Sequence, residues 1–284
     1  MRGKFKLLGV LLAIIFFAAQ GHVVAAPNWN TNTIQVTGEG MGDPAKAISS
    51  EHLMAMAKRA AIADAHRKLA EAINGVQVDA ETTVEQMVLT SDIVKTKVHA
   101  LVRNARIVDE SALAGGAYSV TMEIPLFGGS GSLSESVITR PTKIEPFRVP
   151  APDYRPPVDY TPPAIDDYQP TYRRDGNYTG LIVDCRGLGR INPVMSPVIK
   201  DEHGEKIYGH KNLDYDRIIR EGMASYARSM SEASRAGKNP LVVRAIALDD
   251  LNATPVLTDE DADMVLYENK SSHFLDDIAV VFLY

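Results

Sequence analysis

The chain has 284 residues, enough for about two domains of ordinary size, and its 45% hydrophobic content is that of a globular protein. Its formal charge of −6 disfavours nucleic acid and anionic membrane surfaces as partners, because like charge repels at encounter. A single cysteine, Cys185, leaves no partner for an intramolecular disulfide.

Arg2, Lys4 and Lys6 precede an uncharged apolar run of 13 residues, Leu7 to Ala19. A membrane-spanning helix needs about 20. The run therefore reads as the core of a secretory signal peptide over residues 1–25, with Val23-Val24-Ala25-Ala26 offering small side chains for cleavage after Ala25. Loss of those three basic residues leaves 27 Lys and Arg against 36 Asp and Glu, a charge of −9. No cysteine lies near the cut to be acylated, and no later segment is apolar and long enough to span a bilayer. The expected product is a soluble periplasmic protein that is not membrane-spanning.

Thr33-Ile34-Gln35-Val36-Thr37 alternates as a half-buried strand, and Trp29, the only tryptophan, is expected to lid the edge of the first core. Gly38-Glu39-Gly40-Met41-Gly42 then reads as a tight turn. It has neither dinucleotide-fingerprint spacing nor the Lys-Ser or Lys-Thr of a phosphate loop. Asp43 as N-cap and Pro44 at the first helical position predict a helix. Its stripe runs through Leu53, Met56, Ala57, Ala60, Ala63, Leu69 and Ile73, and it stops at Asn74-Gly75. Thr82 and Glu85 form a capping-box pair for a second helix striped by Val84, Met87, Val88, Val94, Val98, Leu101 and Val102, with a break at Ser91-Asp92. Residues 105–110 and 118–124 form a hairpin across Ala114-Gly115-Gly116, with Tyr118, Val120, Met122 and Ile124 on one face. The order strand, helix, helix, strand, strand closes most simply as a small antiparallel sheet covered by two helices.

Gly128 to Ser132 closes this domain, assigned to residues 26–130. Residues 131–175 read as a Pro-rich linker, with nine prolines from Pro141 to Pro170 among Asp-Tyr pairs. Such a segment favours polyproline geometry at about 3.1 Å per residue, and so reads as a spacer, with docking of Asp-Tyr elements in an aromatic groove as an alternative. Residues 176–284 form a C-terminal α/β layered domain. Its expected elements are a strand at 180–184, a hairpin within 194–208 turning at 201–204, and a helix capped by Asp214 running past Met230 to Gly237. A strand at 241–248, a helix capped by Thr258 and a final strand at 277–283 complete it. The whole is an α+β protein.

Asn28-Trp29, Val36-Thr37-Gly38-Glu39-Gly40, Ala57-Lys58-Arg59-Ala60-Ala61, the helix end Ala70 to Val76, Lys95-Thr96-Lys97-Val98 and Val120 to Leu126 together resemble the LPP-twenty family of bacterial envelope proteins, which is similar to the N-terminal domain of flagellar assembly protein T. The resemblance covers roughly Trp29 to Phe127. It carries no catalytic residues; the acylated cysteine of the lipoprotein members is absent from this sequence. It implies a protein that acts through contacts with envelope or flagellar basal-body proteins.

The remaining candidates are weaker. Asp259-Glu260-Asp261-Ala262-Asp263 resembles the opening of a calcium loop, yet Met264 stands where that loop needs Gly and Lys270 where it needs Glu. Acidic residues also suit a first helical turn. His203 and His210 with Asp201, Glu202 and Glu205 are metal-ligand types at a hairpin, set against an exposed turn. Gly187-Leu188-Gly189 offers close approach to a ligand, or a turn. Cys185, in a strand-like run, is expected to be buried. No nucleophile elbow or zinc-protease helix occurs. No catalytic, cofactor or metal residue is assigned, and the chain is read as a non-enzymatic scaffold or assembly protein. The alternative is a small-ligand or peptidoglycan-binding protein with its site in the C-terminal domain.

Overall fold

In the first sheet a strand runs directly against a helix, with only backbone on the strand's inner side at Gly38 and Gly40. Strand β1 (Thr33–Met41) continues straight through Gly38 and Gly40, where a turn was expected. The helix α1 (Ser50–Asn74) crosses it so closely that a Cβ on Gly38 would lie 2.3 Å from the Ala61 carbonyl oxygen, and one on Gly40 2.2 Å from the Ala61 nitrogen. Ala57, Ala61 and Ala65, one helical turn apart and fully buried, form the facing stripe. Of the expected stripe, Ala57, Leu69 and Ile73 are buried, whereas Ala60 and Ala63 face solvent.

The helix also starts later than expected. Asp43 takes the Ala45 N–H on its side chain and the Lys46 N–H on its carbonyl, making a turn, and Ser49 caps the helix by accepting from His52. Beyond α1, the capping box is Thr83 with Gln86, one residue on from the expected pair, and opens α2 (Val84–Thr90). Ser91 then breaks the chain and caps α3 (Asp92–Arg103). The hairpin of β2 (Arg106–Ala112) and β3 (Ala117–Pro125) completes an antiparallel sheet in the order β1-β3-β2. Val36 stands opposite Met122 and Gly38 opposite Val120.

This structure, a computed structural model, describes residues 25–166, 168–173 and 177–284; the signal-peptide reading falls outside these residues. After a short helix α4 (Leu133–Val137), the second unit contains two four-stranded sheets. Its elements in order are β4 (Gly180–Asp184), β5 (Ile199–Asp201), β6 (Lys206–Tyr208), α5 (Tyr215–Glu221), β7 (Ser225–Ala227), β8 (Pro240–Arg244), β9 (Ala247–Asp249), β10 (Thr254–Leu257), α6 (Asp259–Ser272) and β11 (Val280–Leu283). One sheet is all parallel in the order β7-β11-β4-β8; the other is mixed, β6-β5-β10-β9. Mixed helices and sheets bear out the α+β class and the layered second domain.

Two expected elements are divided. The helix capped by Asp214 ends at Glu221, because Gly222 takes φ 73° against the Phe127 ring, and the next residues pair with β11 as β7. The strand expected over 241–248 is β8 and β9, which belong to different sheets. Both are departures that only long-range pairing creates.

The Pro-rich segment runs along the second unit. Arg148 pairs with Asp201, Glu205 and Asp263; Ile165 is fully buried; the Tyr160 hydroxyl donates to the Val242 carbonyl and the Tyr172 hydroxyl to Glu268. The two units also bond directly. The Ile219 carbonyl accepts from the Gly128 and Gly129 amides at 3.0 Å each and from the Ser134 hydroxyl at 2.8 Å. Met195 and Ser196 donate to the Gln77 and Val78 carbonyls, and Trp29 meets Tyr226 edge-on at 5.5 Å. Phe127, Leu133 and Val137 share one core with Ile218 and Met223.

Two outcomes follow from the first sheet. Gly38→Ala should cost about 3 kcal/mol or more in urea unfolding, since neither backbone can retreat. Gly75→Ala, at φ −76° with its nearest neighbour 3.7 Å from the added carbon, should be neutral or slightly stabilising. Asp64 supplies the second. Burial alone would raise its carboxyl, but Lys68, Arg67 and the Glu39 amide outweigh that and hold it at about 2. A lowered value means stability that is present above the ordinary carboxylate range and lost as pH falls from about 4 through 2. Asp64→Asn should therefore destabilise the protein by about 1 to 2 kcal/mol at pH 7, with the difference vanishing near pH 2 in acid unfolding curves.

Candidate interaction surface

The groups singled out in the sequence do not converge. In α6, Asp259 pairs with the His203 imidazole at 2.7 Å, the Asp261 amide is capped by Thr258, and Asp263 turns to Arg148 and the Ala151 amide. A helix spreads successive carboxylates about 100° apart, and those of Asp259 and Asp263 serve different partners. Asp201 is buried and spends its oxygens on Arg148 and the His203 and Glu205 amides; burial raises its carboxyl, and those donors outweigh it to leave it low. His210 lies apart, half-buried, in a different cleft. Among the described residues no three His, Cys, Asp or Glu side chains are placed to share a metal ion.

Cys185 is fully buried as expected, directly after β4, and burial pushes its thiol up to about 12. Gly187 and Gly189 form a turn at φ 84° and 104°. In front of them, buried Asp184 is held low because Arg186 and Arg244 outweigh the effect of burial. The native protein should give no reaction with a chromogenic thiol reagent at pH 8, and one equivalent once unfolded in guanidinium.

The two edges of the first sheet are treated differently. Along β1, side chains of α1 occupy the free backbone groups: Asp64 accepts the Glu39 amide at 3.1 Å and Lys68 donates to the Thr37 carbonyl at 2.9 Å. Along β2, all seven residues are exposed, no strand among the described residues pairs on the outer side, and Ile107 and Val108 leave 41% and 39% of their surface in solvent. The strand's defence is a bulge at Val108 and the charges of Arg106, Asp109 and Glu110. Lys58 of α1 pairs with Glu110 and Arg106 with Glu123, holding the strand to its own helix and sheet. Sequence reading located the strand but not its edge, since strand order depends on β3 pairing on both sides.

A cleft of about 270 Å³ lies where the Asp79–Thr82 loop meets the second unit. Lys200, Lys206 and His210 line it, with Lys200 paired to Asp250 at 2.6 Å. Burial lowers the His210 imidazole, and Lys211 and Lys206 reinforce that.

Residues 30–124 match the family model of the LPP20 lipoprotein. That span covers β1 through nearly all of β3, so the open β2 edge belongs to the LPP20-like unit. Residues 180–284 match the model for the second domain of Treponema pallidum Tp0624. No curated protein matches the chain. The first match supports the family resemblance read from the residues over that span; no helix among the described residues is long and apolar enough to cross a membrane.

Proposed function

We propose that this protein is a non-enzymatic periplasmic scaffold or assembly factor of the bacterial envelope, associated with the flagellum, that recruits a protein partner along the β2 edge. The observation that carries the reading is the asymmetry of the sheet, one edge filled by its own helix and the other left open over seven exposed residues. An open edge offers unpaired amides and carbonyls at strand spacing, so an extended segment can bind by main-chain hydrogen bonds while Ile107 and Val108 supply apolar contact. The LPP20 lipoprotein match supports the envelope setting.

The cleft beside Lys206 and His210 supports a second reading, a cell-wall ligand held by the C-terminal domain. Its mixed charged lining suits a polar fragment. A photo-crosslinking residue at Val108, in living cells, should give adducts with an envelope or basal-body protein that the same residue at exposed Glu85 does not. Equal adducts at both positions, or none at Val108, would overturn the scaffold reading. A thermal shift with soluble cell-wall fragments, abolished by Lys206→Gln, would favour the second.

A further inference from the structure

A groove of about 370 Å³ lies between α1 and the α2–α3 pair, on the LPP20-like unit. Its apolar wall is Val88, Val98 and Val102, and its polar groups are His66, Asn74, His99 and Arg103. No carboxylate lines it. The Nδ1 of His66 is buried without a hydrogen-bond partner, and Arg103 forms no ion pair within the described residues. The groove therefore combines an aliphatic wall, an exposed guanidinium and two imidazole rings, with no acid among its lining residues.

We infer that this groove binds the C-terminal residue of a peptide, its carboxylate on Arg103 and its aliphatic side chain on the valine wall. An Arg guanidinium presents a planar fork that matches a carboxylate. Asn74 decides between a peptide and a simple fatty acid. Its side chain offers both an acceptor and a donor, and only a peptide carries the N–H and C=O to meet them. The volume is at the small end of ligand sites and suits one or two residues rather than a long acyl chain. The site is separate from the β2 edge, so either assignment can fail without the other.

The test is calorimetric titration of the purified full-length protein with acetyl-Ala-Leu bearing a free carboxylate, with its C-terminal amide, and with octanoate. The acid should bind with a submillimolar dissociation constant. The amide should bind at least about tenfold more weakly, the loss expected for one charge-assisted contact. Arg103→Gln should weaken the acid by a similar factor and Arg103→Lys by less, whereas Lys95→Gln, at an exposed position of the same helix, should change nothing. Matching far-ultraviolet spectra and melting temperatures establish that the variants are folded. The His66 ring resonances should move on adding the acid. Equal binding of acid and amide, an unchanged Arg103→Gln variant, octanoate binding as tightly as the peptide, or no binding at millimolar peptide would each overturn the assignment.

Discussion

The contact between the glycines of β1 and the alanines of α1 sets the spacing of the first unit. With no side chain at Gly38 or Gly40, the helix settles onto bare strand backbone, and Ala57, Ala61 and Ala65 are small enough to let it. The energy of this layer comes from close packing of many atoms rather than from large side chains, since each pair contributes only a little and the density is what counts. Larger groups sit at the ends of the contact. Ile34, Leu69, Ile73, Met122 and Ile124 fill the space where strand and helix diverge. Because α1 lies so low, its Asp64 and Lys68 can reach round the strand and occupy the β1 edge. The filled edge of the sheet is thus a consequence of where the helix rests.

The second unit is held to the first by polar bonds across an apolar seam. Three donors from one short stretch converge on the Ile219 carbonyl, while Phe127 packs on Gly222. The Pro-rich segment follows the outside of the second unit. Among the described residues it forms no sheet ladder, which its prolines disfavour, and it uses side chains instead: Arg148 in a cluster of three acids, and tyrosines that place rings on one another and hydroxyls on carbonyl or carboxylate oxygen. The repeated Asp-Tyr pairs are thereby partly explained, with Tyr160 turned inward onto this chain's own domain.

Local chemistry made much of this readable from the residues. Thr258 and Asp214 cap the helices they were expected to cap, and the alternation in 118–124 faces the core as expected. The misreadings have a common origin. Gly38-Glu39-Gly40 carries the composition of a turn, but glycine also serves where another backbone approaches, and only the alanine stripe twenty residues on distinguishes the two. The helix from Asp214 stops at Gly222 because β11, some sixty residues later, takes the following segment as a strand. The open β2 edge and the groove by Arg103 were invisible for a simpler reason: both are defined by what is missing from three-dimensional space, and periodicity records only what is present.

A helix end has carbonyls that its own turn cannot satisfy, and α5 shows where this chain finds the donors. Ile218 is served by Gly222, and Glu221 by Arg235, both within the second unit. Ile219 is served from residues 128–134, outside the span similar to Tp0624. In the language of modular evolution, that span is not a self-contained cassette in this protein. Cut free of the Gly128–Ser134 loop, the Ile219 carbonyl would turn to water for its hydrogen bonds, and the apolar seam with Phe127 and Leu133 would lie open to solvent.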